Sequence, residues 1–188
     1  MTDAPKAKGL AIRNAAESLV ALEGREALDR ALEKAPPELV SLTKSGRLLV
    51  GTWYPLAWQT GLLAAIAETT PGGRELMRRL GRHSMRGDLA GVYRTFAKLL
   101  GPDRSLGVST RLFNNYYDTG RAEIVESRPG FALIRWSGCT GFDPRLFHLV
   151  MGSSESLLEC VGGQHVRTHL RSGARDGDDT CEMAAFWE

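Results

Sequence analysis

The chain has 188 residues, of which 43% are hydrophobic and 24% charged, as is usual for a globular protein with a core of its own. The formal net charge of +2, without a basic block interleaved with aromatic residues, argues against a nucleic-acid partner. No apolar run approaches the roughly 20 residues of a membrane span, and the N-terminus lacks the features of a signal peptide. We therefore expect a cytoplasmic protein.

The N-terminal part is predicted to begin with disorder and continue as helix. Residues 1–7 are small, polar and proline-containing, which predicts a disordered leader before one domain over residues 8–188. Good helix formers fill residues 14–34, where Gly24 is predicted to separate two helices. Residues 38–52 have no clean period, so we expect a loop with a short strand-like run.

Two more helical segments are predicted next. A first-turn proline and an apolar stripe that includes Trp58 indicate a helix over residues 55–69. Residues 74–100 are predicted to form one long helix, or two helices with a break near Gly81 or Gly87. A Gly-Pro pair ends this helical half of the chain.

Strand patterns dominate after residue 103. Three runs at residues 108–118, 121–127 and 131–136 are separated by glycine-containing turns, which is typical of an antiparallel meander. An Asp-Pro start, an apolar face and a Gly-Gly stop then predict a helix over residues 143–161.

The last segments alternate with a period of two. Residues 166–170 and 181–187 each alternate, and a polar, glycine-rich stretch separates them, so they are predicted to form an antiparallel hairpin. The order of elements predicts an α+β fold. Its N-terminal helical layer packs on a mostly antiparallel sheet of about four to five strands, with one long helix inserted before the final hairpin.

The order of helix, Gly-Gly, strand, polar glycine turn, Cys-Glu and final strand resembles the C-terminal half of the 4-vinyl-reductase-type domain. That ligand-binding module is related to TRAPP subunits and to haem–nitric-oxide-binding proteins. Upstream motifs resemble, more specifically, a myxobacterial paralogous family of domains within this group. These motifs are KGLAIR at residues 8–13, WYPLAW at 53–58, LGR at 80–82 and NNY at 114–116.

Metal binding is not expected. His165 and His169 lie four residues apart on a predicted strand, where that spacing corresponds to roughly 13 Å, too far to share one ion. Zinc-binding sensors of the resembled group use several cysteines and a glutamate around the final hairpin, and here only Cys181 occupies a matching place. A structural zinc site usually needs four nitrogen or sulfur ligands.

A haem cofactor is not expected either. The haem-binding relatives use an axial histidine together with a Tyr-x-Ser-x-Arg element, and we find no counterpart of that element in this sequence. His83 and His148 lie on predicted helices and are expected to be polar-face or satisfied core residues. We therefore predict no cofactor.

Catalysis is also not expected. The chain has no Gly-x-Ser-x-Gly elbow, no Walker-type loop and no Gly-x-Gly-x-x-Gly turn, so we predict no catalytic residue and no enzymatic activity. Gly152, Ser153 and Ser154 are interpreted as small residues that let their helix approach a neighbour closely. The three cysteines have no paired spacing and are expected to be reduced thiols.

The remaining interpretation is a binding domain. The resemblance implies a sensory or scaffolding module, because TRAPP subunits hold an acyl chain in a cavity and vinyl-reductase-type relatives sense small aromatic molecules. We expect a pocket for a small hydrophobic or aromatic ligand between helices and sheet. The alternative is a protein–protein adaptor whose core is filled. The predicted ligand-binding residues are Trp58, Tyr93, Phe96, Ile134, Trp136 and Phe147.

The sequence also predicts a homodimer, with a protein as signalling partner. Members of the resembled group associate through N-terminal helices, and here those helices carry more apolar residues than one sheet face can cover. The alternative is that residues 1–52 fold back over this surface. The apolar residues are Leu19, Val20, Leu22, Leu28, Leu32, Leu56, Leu63 and Ala64.

Overall fold

The computed structural model describes residues 4–89, 101–102, 105, 107 and 110–188. In these residues, a helical part comes first and the four strands of the larger sheet come later. The elements in chain order are β1 (Lys6–Lys8), α1 (Gly9–Glu23), α2 (Arg25–Leu32), α3 (Pro37–Lys44), β2 (Trp53–Pro55), α4 (Leu56–Thr69), α5 (Gly73–Asp88), the helical residues 110–116 (α6), β3 (Arg121–Arg128), β4 (Phe131–Ser137), α7 (Pro144–Cys160), β5 (Arg167–Gly173) and β6 (Cys181–Phe186).

A four-stranded antiparallel sheet in the order β3-β4-β6-β5 forms one wall of the core. On β4, Ala132, Ile134 and Trp136 are buried and the residues between them are less so, because successive side chains of a strand point to opposite faces. Met183 on β6 lies opposite Ile134 and is also buried. This inner face therefore contributes to the core, and β1 pairs with β2 in a separate two-stranded sheet.

The predicted α+β class is confirmed. A helical N-terminal part accompanies a mostly antiparallel sheet of four strands, and the long helix α7 precedes the hairpin of β5 and β6. Asp143 caps α7 as predicted, since its side chain accepts a hydrogen bond from the Leu146 N–H at 3.0 Å. Gly24 separates α1 from α2, with a φ of 88° that favours glycine.

The predicted strand at residues 108–118 is wrong, because residues 110–116 are helical; residues 108 and 109 lie outside the described part of the chain. The aromatic residues Phe113, Tyr116 and Tyr117 recur at three- and four-residue steps and line one cavity. The aromatic and β-branched content of the segment suggested a strand, although its apolar spacing was helical.

Two predictions near the N-terminus are also corrected. Residues 6 and 7 of the predicted leader belong to β1, and Ala7 is completely buried because β1 pairs with β2. Within the predicted loop 38–52, helix α3 extends to Lys44, and the strand-like run at its end is not a strand. Leu39 is the buried residue of α3. One buried position does not produce a helical apolar pattern, which is why the sequence did not predict this helix.

Helix α5 continues through Gly81 and ends just after Gly87. The proposed break near Gly81 is therefore wrong, and the one near Gly87 agrees with the end of the helix. Residues 90–100, the rest of the predicted helix, lie outside the described part of the chain.

Helices α5 and α7 approach so closely that two glycines form their contact. A Cβ atom at Gly81 would lie 1.9 Å from the Leu149 carbonyl oxygen, and one at Gly152 would lie 2.1 Å from the Arg78 carbonyl oxygen. The Ser153 hydroxyl donates to the Gly81 carbonyl at 3.2 Å. The interpretation of Gly152 and its neighbour as close-approach residues is confirmed, and Gly81 has the same role.

Ion pairs join the same two helices. The buried carboxylate of Glu155 pairs with Arg78 and with Arg82, each at 2.9 Å. Arg82 also pairs with Glu159, and the hydroxyl of Thr168 on β5 donates to Glu155. A buried charge is tolerated only when it is paired and hydrogen-bonded, and removing one partner of such a pair costs roughly 3–5 kcal/mol. This cluster fixes α5, α7 and β5 relative to one another.

Adding a methyl group at either contact glycine tests this packing. We expect Gly81→Ala and Gly152→Ala each to lower the free energy of unfolding by about 1–3 kcal/mol or more, because the new Cβ would collide with backbone that side-chain rotation cannot move. Urea unfolding at equilibrium measures the change.

Gly87→Ala is the matched control on α5. No atom of the described residues lies within 4 Å of its Cβ position, so the alanine should raise the free energy of unfolding by roughly 0.5–1 kcal/mol. Equal stability of Gly81→Ala and Gly87→Ala would contradict the close contact.

Candidate functional site

A cavity of about 70 Å³ lies between the inner face of β3 and β4 and the surrounding helices α1, α4, α5, α6 and α7. A single water molecule needs roughly 10–15 Å³ of such space, so the cavity has room for a small organic molecule. Most of its described wall is apolar. The apolar lining residues are Ala11, Met85, Leu112, Phe113, Ala122, Ile134, Trp136, Leu149, Val150 and Leu157.

A buried amide forms one polar group in this wall. The Nε2 of Gln59 donates to the Tyr117 hydroxyl at 3.3 Å, and both residues line the cavity. Gln59 is completely buried, and its Oε1 has no hydrogen-bond partner among the described residues. Turning the amide over would only exchange which of its two polar atoms is unpaired. An unpaired buried polar group costs roughly 1–3 kcal/mol, so a hydrogen bond between this amide and a molecule in the cavity would remove that cost.

A carboxylate forms a second polar group. Asp88, at the end of α5, accepts hydrogen bonds from Asn14 Nδ2 at 3.0 Å to each of its oxygens and from the Tyr116 hydroxyl at 2.6 Å. Burial, and then the hydrogen bond to Asp88, raise the pKa of Tyr116 above its ordinary value. Burial likewise raises the pKa of Tyr117. Both phenols therefore stay protonated at neutral pH.

The structure brings only part of the predicted ligand-binding set to the cavity. Ile134 and Trp136 line it. Trp58 is half-buried elsewhere and stacks on Tyr54, with ring centroids 5.4 Å apart. Phe147 is buried in the core, 5.2 Å from the ring of Phe142.

Two members of the predicted set, Tyr93 and Phe96, lie outside the residues that the structure describes. Binding of a ligand by any of the six predicted residues remains a prediction.

The polar lining residues escaped the sequence analysis. Gln59 is a single amide among the buried apolar positions of α4, and that isolation was a usable signal. Tyr116 and Tyr117 were placed on a strand, which hid their helical relation to Phe113. Asp88 and Asn14 are 74 residues apart, and no local pattern links them.

The described residues contain no group of three or more His, Cys, Asp or Glu side chains that could hold a metal ion. Both histidines of the final hairpin were predicted to lie on one strand. This is correct for His169, whereas His165 precedes β5 and has a left-handed φ of 50°.

Among the described helices, none combines the length and the apolar character needed to cross a membrane.

Comparisons with known proteins identify the fold. No protein-family model matches the sequence, and no curated protein matches it. An unliganded Fe(II) H-NOX protein from K. algicida superposes with a TM-score of 0.70 and 14% identity, and the match covers 96% of both chains.

Two structures from S. oneidensis give similar matches. The Fe(II)NO crystal structure has a TM-score of 0.71 and 15% identity over 96% of this chain and 99% of that one. The Fe(II)CO structure, determined by NMR, has a TM-score of 0.68 and 14% identity over 96% and 98%. The chain therefore has the fold of H-NOX domains, which confirms the resemblance at the level of fold. The comparisons do not extend it to 4-vinyl-reductase-type domains, TRAPP subunits or the myxobacterial family.

Because these neighbours contain Fe(II), haem is the cofactor whose fit to this chain has to be considered. The positions of the four histidines of this chain do not suit an axial ligand at the cavity. The sequence contains no histidine between residues 84 and 147, the region that contributes α6 and two of the strands. None of the described cavity-lining residues is a histidine. His83 shares a hydrogen bond with the Ser18 hydroxyl at 3.1 Å, and His148 accepts one from Arg78 Nε at 3.5 Å in the contact between α5 and α7.

The other side chains near the cavity do not replace a histidine. Burial raises the pKa of the Cys139 thiol to about 12, which disfavours the thiolate that binds iron. Tyr116 and Tyr117 are held protonated and hydrogen-bonded. The Asp88 carboxylate already accepts hydrogen bonds from Asn14 and Tyr116. Met85 is the sulfur donor of the described lining, and methionine ligates haem in cytochromes together with a histidine. The residues that the structure describes do not fit a haem.

The environment of His148 predicts a pH dependence of stability. Burial, followed by the nearby Arg78 and Arg74, lowers the pKa of His148 from 6.5 to about 4. Between these values the unfolded chain binds a proton that the native chain does not. Stability is therefore lost as the pH falls from about 7 towards 4, with a slope of at most about 1.4 kcal/mol per pH unit from this one group.

Replacing the imidazole tests this effect. We expect His148→Gln to flatten the dependence of the unfolding free energy on pH between 5 and 7, measured by urea unfolding at several pH values. A variant with the slope of the wild type would show that His148 is not held neutral.

Proposed function

We propose that this protein is a non-catalytic sensory or regulatory domain whose cavity binds a small hydrophobic or aromatic molecule. The observation that supports this function is the cavity itself, whose described wall is mostly apolar and includes Gln59, a buried amide whose Oε1 has no partner among the described residues. A few convergent polar atoms in a mostly apolar hollow are typical of small-molecule sites.

The neighbours support ligand binding in this fold but not the same ligand. The two S. oneidensis H-NOX structures are in the Fe(II)NO and Fe(II)CO ligation states, so those proteins bind a gas at iron. None of the described residues that line the cavity of this chain is a histidine. We therefore propose that the molecule bound here is held by the apolar wall and by hydrogen bonds to groups such as Gln59.

We also propose that the protein acts in the cytoplasm and passes its signal to another protein. Its three cysteines are free, and Cys139 and Cys181 are buried with pKa values raised by burial to about 12. Buried thiols of this kind are inert, which suits a structural role in a reducing compartment.

Filling the cavity tests the binding function. Ala122 lines the cavity from β3, so we expect Ala122→Leu to occupy part of the space and to exclude a ligand. Native mass spectrometry of the purified protein should detect small organic adducts on the wild type but not on this variant. A panel of toluene, indole and hexanol should raise the melting temperature of the wild type by several degrees when a compound exceeds its Kd about 100-fold.

Ala57→Leu is the matched control, since Ala57 is exposed on α4. It should keep both the adducts and the thermal shifts. Ligand binding would be contradicted if the wild type, like Ala122→Leu, showed no adduct in its mass spectrum and no thermal shift with any compound. That result would favour the alternative of an adaptor with a filled core.

We propose a homodimer as the working form, with a different surface from the one inferred from sequence. Most of the apolar residues that suggested the dimer are covered within one chain, namely Leu19, Leu28, Leu32, Leu56 and Leu63. Val20, Leu22 and Ala64 are partly buried. The support now comes from Leu49, Val50 and Trp53, which are exposed apolar residues beside the start of α1.

Light scattering at micromolar concentration tests the dimer. We expect a mass near twice the 20.6 kDa of one chain, and a mass near one chain for Leu49→Glu, because Leu49 is 63% exposed and its substitution spares the core. Val125→Glu, at an exposed position on β3, should remain dimeric. A wild-type mass of one chain that does not change on tenfold concentration would refute the dimer.

A further inference from the structure

Strand β5 is a free edge of the four-stranded sheet. It pairs with β6, and no described residue pairs with its other side. An edge strand presents a row of N–H and C=O groups without partners, and a second extended chain can pair with such a row. The edge is uninterrupted over residues 167–170, before an irregularity between Leu170 and Ser172.

At the end of β5 that carries Arg167, the outer face of the sheet is basic and aromatic; towards the other end, Glu182 lies opposite Ser172 and pairs with Arg135. Four residues lie opposite one another across the four strands, in the order Arg128, Phe131, Phe186 and Arg167. Directly opposite residues share a face of the sheet. The ring centroids of Phe131 and Phe186 are 5.2 Å apart, and the guanidinium of Arg128 lies 4.7 Å from the centroid of Phe131. Phe186 remains 40% exposed.

Strand β5 carries two exposed arginines. Arg167 lies in the regular part of the strand, and Arg171 lies at the irregularity between Leu170 and Ser172. Neither Arg167 nor Arg171 has a carboxylate within ion-pairing distance among the described residues, whereas Arg128 pairs with Glu126 at 3.6 Å. Two copies of such a strand repel each other, so the charge disfavours pairing between identical edges and favours an acidic chain.

We propose that the edge of β5 and the adjoining outer face bind an extended, acidic segment of a partner protein. The segment adds a fifth strand to the sheet, its carboxylates face Arg167 and Arg171, and an apolar side chain covers Phe186. Nucleic acids and anionic lipids also carry negative charge, but neither offers the alternating donors and acceptors that match a strand edge. This surface depends on no property of the cavity.

A pair of synthetic peptides tests the proposal with the full chain. The probe is a short fluorescein-labelled peptide in which glutamate alternates with threonine or valine, and its counterpart has lysine in place of glutamate. We expect fluorescence anisotropy to show binding of the glutamate peptide. Arg167→Glu combined with Arg171→Glu should weaken that binding at least about tenfold and should make the lysine peptide the better ligand.

Arg30→Glu combined with Arg47→Glu is the matched control, because it changes the net charge equally at exposed positions far along the chain from β5. It should keep the affinity within about twofold. Circular dichroism checks the folding of every variant. If the double glutamate variant does not fold, the single variants Arg167→Gln and Arg171→Gln replace it, and each should bind the glutamate peptide more weakly. Wild-type binding should also weaken between low and high salt.

Backbone pairing is tested separately. Proline in place of the threonine and valine residues keeps the charge of the glutamate peptide but removes N–H donors, so binding should fall at least about tenfold. Equal binding of the proline peptide would overturn strand addition. The proposal would also be overturned if the glutamate peptide did not bind. The same holds if a single-stranded oligothymidine or phosphatidylserine vesicles bound in its place through Arg167 and Arg171.

Discussion

The contact between α5 and α7 is the constraint on which the rest of the structure depends. Gly81 and Gly152 let the two backbones touch, and any larger residue would separate them. At that short distance Glu155 is removed from water, so its charge requires the guanidinium groups of Arg78 and Arg82. The glycines and the ion pairs are therefore coupled: without the close approach the carboxylate would be solvated, and without the arginines it would not be tolerated.

The same contact positions the cavity. Ser84, Met85 and Asp88 reach the cavity from α5, and Leu149 and Ser153 reach it from α7, so the spacing of these helices sets part of its width. Opposite them, β4 supplies Ile134 and Trp136 from a strand whose register with β6 is fixed along its length. Thr168 also joins Glu155 to β5, so the helices that border the cavity are hydrogen-bonded to the strand at the edge of the sheet.

Local sequence signals predicted those helices and strands whose ends or faces are set by neighbouring residues in the chain. Asp143 with its following proline, Gly24 and the alternating final strands were all identified, because capping, positive φ and side-chain alternation act within a few residues. The polar residues that line the cavity were not predicted. Gln59, Asn14 and Asp88 meet only in the folded chain, and α6 was mistaken for a strand because its aromatic content outweighed its helical spacing. The glycine contact was visible on α7 but not on α5, where Gly81 resembled a helix break.

The chain thus combines the fold of H-NOX domains with a cavity whose donors suit hydrogen bonding rather than iron ligation. Haem reconstitution tests this combination most directly. Purified protein is incubated with a slight excess of haemin, desalted, reduced, and its absorption recorded before and after carbon monoxide. We expect no stoichiometric retention of haem and no sharp Soret band that shifts with carbon monoxide. One tightly held haem per chain, with a defined ferrous–CO spectrum, would contradict this combination and would require an axial ligand from this chain.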